Sequence, residues 1–108
     1  GVQTCALPIL NVVTFRYRIV YNWGGNLNGR GAYLMGVTVY PEVVNVAWGW
    51  SFNATASIPT IMNAGSTENP TAAAELLISS SVRTALTSLD NTESYYVRGD
   101  GAFANLQQ

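Results

Sequence analysis

Polar and bulky apolar side chains alternate along residues 12–21. The polar positions are Thr14, Arg16 and Arg18, and an aromatic or aliphatic residue follows each of them. Because successive side chains of a strand point to opposite faces, a strand here would carry two guanidinium groups on one face and apolar bulk on the other. All five cationic residues of the chain are arginines, and two of the five would lie close together on one face of this short strand. The pattern predicts a sheet face that binds an anion.

The composition of the chain limits which functions such a sheet face could have. The 108 residues, 11.6 kDa in all, have room for one domain with a modest core. Only 10% of the residues are charged and 48% are apolar, which favours a surface partly covered by further copies of the chain. The net charge is −1. Binding of nucleic acid would therefore have to be local, since no basic field surrounds the whole molecule.

The residue types present strongly disfavour catalysis. The chain has no histidine and no lysine, which removes the usual general base, metal ligand and Schiff-base amine. An enzyme that uses Ser or Asp stays a remote alternative. Cys5 is the one thiol, so no intrachain disulfide can form. We predict no cofactor and no metal. No apolar run reaches the ~18 residues of a membrane span, so we also predict no membrane partner.

The first nine residues resemble the translation of a widely used sequencing adapter. We expect this peptide to be an artefact without selected function, and the gene to be broken off at its start. The fold is therefore predicted from residues 10–108, as a single domain.

Three strands are predicted within residues 11–58, at 11–21, 32–40 and 45–58. These segments are rich in β-branched and aromatic residues. The first two would form a hairpin across the Gly- and Asn-rich loop 22–31. Pro41 and Pro59 are expected to end the second and third strands, because proline cannot donate to a sheet ladder.

A helix over about residues 70–89 is predicted to follow the sheet. Asn69 would cap it, Pro70 would take its first position, and Glu75 would lie near the positive end of its dipole. Apolar residues then recur at spacings of three and four; they are Ala74, Leu77, Ile78, Val82, Ala85, Leu86 and Leu89. Residues 92–108 would form a tail. The predicted class is α+β, an antiparallel sheet (a hairpin plus a third strand) followed by a C-terminal amphipathic helix.

The polar face of the predicted sheet could bind RNA. Arginine contacts phosphates, while Thr, Ser and Asn contact sugars and base edges. The residues of this face are Thr14, Arg16, Arg18, Thr38, Ser51, Asn53 and Thr55. An ordinary solvated sheet face is the competing interpretation. Three strands are few for a stable sheet, so we expect either that strands are missing upstream or that a second copy completes the sheet.

Three segments carry a family resemblance: VTFRYR at 13–18, YLMGVTVYP at 33–41 and WSFNATASIP at 50–59. In this order, and followed by an amphipathic helix, they resemble the coat protein of single-stranded RNA bacteriophages of the levivirus type. The first segment resembles that family's RNA-facing strand and the second its hairpin partner. The third is similar to the last strand before the helix, with Asn53 at the position of a base-contacting Asn.

The resemblance implies an intertwined homodimer in which two chains share one sheet and each helix packs across the partner's sheet. Dimers would assemble in the host bacterial cytoplasm into an icosahedral virion shell and bind single-stranded genomic RNA, including a hairpin operator, on the inner sheet face. The implied dimer core is Tyr17, Ile19, Met35, Val37, Val39, Trp50, Phe52, Leu77, Ile78, Val82 and Leu86.

The alternative function is a secreted or surface structural β-module that binds no nucleic acid. Its only signs are the adhesion triplet Arg98-Gly99-Asp100 and a glycosylation sequon at Asn53.

Overall fold

The computed structural model describes residues 1–9 and 12–106. Strands account for 72% of the residues, and no described residue lies in a helix. The predicted α+β class and its C-terminal helix are therefore wrong. The described residues form β1 (Val2–Ile9), β2 (Val13–Asn22), β3 (Gly25–Leu27), β4 (Arg30–Tyr33), β5 (Gly36–Val46), β6 (Ser51–Asn63), β7 (Ala72–Arg83), β8 (Ser88–Arg98) and β9 (Phe103–Asn105).

Two antiparallel sheets pack face to face around one core. The first sheet has the order β1-β2-β5 and the second the order β6-β7-β8-β9, while β3 and β4 form a separate hairpin. The buried cluster draws on β2 from the first sheet and on β7 and β8 from the second; it comprises Val13, Phe15, Tyr17, Ile19, Tyr21, Ala74, Leu76, Ile78, Val82, Tyr95 and Val97. The molecule is a two-layer β-sandwich, 55 Å long and about 20 Å across.

Strand β2 follows the period-two pattern of its sequence. Every second residue from Val13 to Tyr21 is at most 5% exposed, and the residues between them face outward. β2 is the central strand of its sheet, paired with β1 on one side and β5 on the other. Burial of each inward side chain stabilises the fold by roughly 1.5–3 kcal/mol. Asn11, where this strand is predicted to begin, lies outside the described residues.

The segment predicted as a helix forms β7, a turn and the start of β8. Buried residues alternate along β7, including Leu76, Ile78 and Val82, while Leu77 lies on the outer face. Within β7, Ala74, Leu76, Ile78 and Val82 also fit a period of two, whereas Leu77 does not. The strand forms because β7 pairs with β6 and β8 on its two sides, which satisfies its backbone groups while one face is buried. Asn69 caps no helix, and its side-chain oxygen accepts a hydrogen bond from the Gly31 amide.

Neither predicted proline stop ends a strand. β5 continues through Pro41 and β6 through Pro59. Both are edge strands of their sheets, where a missing amide hydrogen need not break the ladder, and the pairing register shifts close to each proline. The predicted third strand, residues 45–58, is instead divided. Its first two residues complete β5, a turn follows at 47–50, and β6 begins at Ser51.

The β3–β4 hairpin packs against the end of the sandwich at which β2 finishes. Arg30 donates hydrogen bonds to the carbonyl oxygen of Glu68, and Ala32 forms a parallel bridge with Thr71. Gly99 lies against the Ala32 backbone, where a Cβ atom would come within 2.2 Å of the carbonyl oxygen. Residues 92–106 of the predicted tail form most of β8 and all of β9, and the last two residues lie outside the described part of the chain.

Candidate functional site

Two arginines lie together on the outer face of the first sheet. Thr14, Arg16 and Arg18 are exposed on β2, and Thr38 and Tyr40 are exposed on the neighbouring β5. We call these five residues the arginine face. The strand register places Arg18 opposite Tyr40, and the guanidinium carbon lies 5.6 Å from the centre of the Tyr40 ring. This cation–π contact is worth about 0.5–1 kcal/mol at an exposed site, and it orients one guanidinium over the sheet.

The guanidinium groups of the arginine face are free to bind an external anion. Among the described residues, neither Arg16 nor Arg18 forms an ion pair, and the salt bridge present joins Arg98 to Asp100. Positions two apart on a strand project from the same side about 7 Å apart, a separation that two phosphates of a flexible polymer can match. The face can therefore bind anions by charge-assisted hydrogen bonds and offers an aromatic ring beside them.

Sequence reasoning did not place Tyr40 on this face. The signal was present, because Tyr40 has the same parity as Thr38 in the predicted second strand. The bulge between Arg16 and Tyr17 shifts the register, and only the structure shows which ring lies opposite which arginine.

The other predicted RNA-binding residues lie on the second sheet. Ser51, Asn53 and Thr55 are exposed on β6, whereas Thr14, Arg16, Arg18 and Thr38 are exposed on the first sheet. The outer faces of two packed sheets point in opposite directions, so the seven residues do not form one surface. Asn53 and Thr55 instead line a shallow polar depression of about 190 Å³, with Ser79, Ser81, Arg83, Asp90 and Thr92 of the neighbouring strands.

The predicted dimer-core residues divide into three groups in the structure. Tyr17, Ile19, Ile78 and Val82 are buried within one chain. Val37, Val39, Trp50 and Phe52 are partly buried and pack against that core. Met35 and Leu86 are 65% and 97% exposed, and Leu77 is half-buried on the outer face. The aromatic and aliphatic face of β2 is therefore covered by the chain's own second sheet, without a helix from a partner.

A buried tyrosine pair links the two sheets. The hydroxyl oxygens of Tyr17 on β2 and Tyr95 on β8 lie 2.6 Å apart, and the two rings meet edge to face. Burial raises the pKa of Tyr17 to about 12, and burial likewise raises the pKa of Tyr95. Both hydroxyls therefore stay protonated at neutral pH, and the pair has a structural role.

The two charged residues of the adhesion triplet bind each other within the fold. Arg98 ends β8, and its guanidinium forms a salt bridge with the carboxylate of Asp100. The Asp100 carboxylate also accepts a hydrogen bond from the Ala102 amide, and these contacts, with that to Arg98 the largest, lower the pKa of Asp100. The two charged side chains bind each other, which leaves little for an external receptor.

Strand β6 presents a long free edge. It is the outermost strand of the second sheet, and only Phe52 and Ala54 along its thirteen residues are even half buried. Between β6 and β5 an apolar groove of about 330 Å³ opens to the surface; it is lined mainly by Phe15, Val39, Pro41, Val44, Phe52, Ala54, Ala56 and Ile78. We call the side of β6 that pairs with no other described strand the β6 edge.

The described residues offer no group of His, Cys, Asp and Glu side chains that could hold a metal ion. In the same part of the chain there is no helix long and apolar enough to cross a membrane.

Comparison with known proteins adds no assignment, because no family model, curated protein or solved structure matches the chain. The resemblance to RNA-bacteriophage coat proteins stays a prediction, and its helix is absent from the described residues.

Proposed function

We propose that this chain is a non-catalytic structural protein that assembles with further copies of itself through the β6 edge. The observation that carries the proposal is the composition of β6. Among the described strands of ten residues or more, β6 is the one without a charged residue, and it is also the longest and the most exposed.

Neutrality favours a second copy as the partner. Two copies related by a two-fold axis would pair the same strand with itself, so that any charge on it would meet a like charge. Soluble proteins protect a free edge with charged side chains, proline or bulges. β6 has Pro59 with a register shift beside it but no charge, and it exposes Ile58, Ile61 and Met62. Pairing would satisfy the open backbone groups and cover these side chains.

A second function, RNA binding on the arginine face, is supported by the unpaired guanidinium groups of Arg16 and Arg18 beside Tyr40. Two copies would present about four cationic groups, which corresponds to a slope of about −3 in log affinity against log salt for single strands. Repetition over a larger assembly would raise the affinity through avidity. Together, the two functions describe a coat-type protein.

The coat-type proposal no longer includes a helix-exchanged dimer. Residues 72–83 and 88–98 are strands that complete the chain's own second sheet, so association would use the strand edge.

One experiment tests both functions with matched variants. Ser57→Lys/Thr60→Lys places two charges on the β6 edge at exposed outer positions, where Thr60 lies opposite Glu75. Arg16→Glu/Arg18→Glu reverses the arginine face without touching β6. Mass is measured by light scattering and bound nucleic acid by ultraviolet absorbance, on protein purified after bacterial expression.

The native chain should elute as an assembly that contains RNA. The β6 variant should elute as monomers, while the arginine variant should keep its mass and lose most of its RNA. A native chain that stays monomeric at high concentration would exclude assembly. Unchanged RNA content in the arginine variant would exclude the arginine face.

A further inference from the structure

Two turns lie side by side at one end of the sandwich. Residues 47–50 join β5 to β6, and residues 84–87 join β7 to β8. They are neighbours because Ser51, the first residue of β6, pairs with Arg83, the last residue of β7. The β3–β4 hairpin follows the other end of β2, so it lies at the opposite end of the molecule.

Each turn holds one large apolar side chain in solvent. Trp48 is 99% exposed and Leu86 is 97% exposed, which makes them the most exposed large apolar residues of the described chain. Their presentation is ordered. The amide of Trp50 bonds to the carbonyl oxygen of Ala47, and Gly49 adopts the positive φ that this turn requires.

The second turn is equally well defined. The hydroxyl oxygen of Thr84 accepts hydrogen bonds from the amides of Leu86 and Thr87. The amide of Thr84 in turn donates to the carbonyl oxygen of Thr87. Both turns therefore point their apolar side chains away from the core by local bonding.

The net charge around these turns is low. Residues 46–51 and 83–89 contain one charged residue, Arg83, and the next residue, Asp90, lines the same polar depression as Arg83, so this end is close to neutral and can approach zwitterionic lipid headgroups without charge repulsion. A protein groove would have to receive two separate protruding tips, whereas a bilayer interface accepts any convex apolar projection. Tryptophan favours the boundary between headgroups and acyl chains, and a nearby arginine can meet lipid phosphates.

We propose that this end of the molecule docks on a phospholipid bilayer, with Trp48 and Leu86 inserted at the interface. This replaces the sequence-based prediction of no membrane partner, which rested only on the lack of an apolar run long enough to span a bilayer. The two turns act as anchors, and the body of the sandwich stays in water. This surface is separate from the β6 edge and the arginine face, so the proposal stands or falls independently of the proposed function.

Flotation with phosphatidylcholine vesicles tests the docking. The native chain should float with the vesicles, and Trp48→Ser and Leu86→Ser should each lower the partition coefficient about tenfold, in line with the burial of one large side chain. Leu27→Ser is the matched control, because Leu27 is 66% exposed at the opposite end; it should bind as the native chain does.

A second measurement locates the indole. Lipids brominated on their acyl chains should quench the tryptophan fluorescence of the native chain, and Trp48→Ser should remove that quenching. Failure of the native chain to float would overturn the proposal. Flotation of the Trp48 and Leu86 variants equal to that of the native chain would do so too. A loss of self-association in these variants without any vesicle binding would also overturn it and would identify a second copy as the occupant.

Discussion

The hydroxyl pair of Tyr17 and Tyr95 is a polar contact inside a mainly apolar core, in which Ser80 is also buried. It joins the central strand of the first sheet to a strand of the second. Each hydroxyl gives the other a hydrogen-bond partner, and a buried hydroxyl without a partner costs about 1–3 kcal/mol. The sequence shows both tyrosines but gives no sign that they meet, because they lie 78 residues apart.

Removal of one hydroxyl of this pair should destabilise the fold more than removal of both. Tyr17→Phe removes the bond between the two hydroxyls and leaves the Tyr95 hydroxyl with the Cys5 thiol, a weaker partner, so we expect a loss of about 1–2 kcal/mol in the free energy of unfolding. Tyr17→Phe/Tyr95→Phe should lose less than the sum of the two single variants. Urea unfolding of the four proteins measures this coupling, and strictly additive losses would show that the pair contributes none.

The same pair should also set the alkaline limit of stability. The pKa of Tyr17 is about 12 in the folded chain against 10.0 as its ordinary value. A raised folded pKa gives stability that is complete below pH 10 and is lost as the pH rises to about 12, because only the unfolded chain ionises in that range. Unfolding free energies across this range should fall in the native chain, and less steeply in Tyr17→Phe/Tyr95→Phe; identical profiles would contradict the assignment.

At the scale of elements, β7 shows how a helix prediction fails. The sequence has a plausible cap, a first-turn proline and an apolar stripe, all local signals. Pairing with β6 and β8 overrides them, since a central strand gains backbone bonds on both sides. The serine run at 79–81 and the half-exposed Leu77 also fit a strand whose outer face is polar.

Adjacent residues of β7 should therefore respond differently to truncation. Ile78 is 2% exposed, and Ile78→Ala should cost about 2–5 kcal/mol through loss of burial and the cavity left behind. Leu77 faces outward, so Leu77→Ala should cost less than about 1 kcal/mol. A helix over residues 70–89 would bury both side chains, and equal losses in denaturant unfolding would argue for it.

The whole molecule has one core shared by both sheets. Aromatic contacts cross the interface, with Phe15 and Phe52 at 5.1 Å between ring centres. Neither sheet has another apolar layer to pack against within the described chain. The two sheets should consequently fold as one cooperative unit.

Substitution of one core residue should lower the stability of both sheets together. Ile19 is fully buried on β2, and Ile19→Ala should cost about 2–5 kcal/mol. Thermal unfolding followed by circular dichroism and by tryptophan fluorescence should give one midpoint, shifted equally for both signals. Separate midpoints would mean that the sheets unfold independently.

The local pattern of β2 is already specified by its residue types. Alternation over residues 13–21 is a nearest-neighbour property, and it placed the arginines outward and the aromatic side chains inward before any fold was known. The neutral composition of β6 is also a sequence property, although its importance depends on the strand lying at an edge.

Which strands pair and which faces meet depends on contacts between distant segments of the chain. Whether residues 72–83 are a helix or a strand depends on partners from 51–63 and 88–98. The separation of Arg16 from Asn53 depends on the assignment of β2 and β6 to different layers. Trp48 and Leu86 are likewise exposed beside each other because the turns that contain them are neighbours at one end of the molecule. These are non-local contacts, and local propensity carries no information about them because their free energy arises only when distant segments pack.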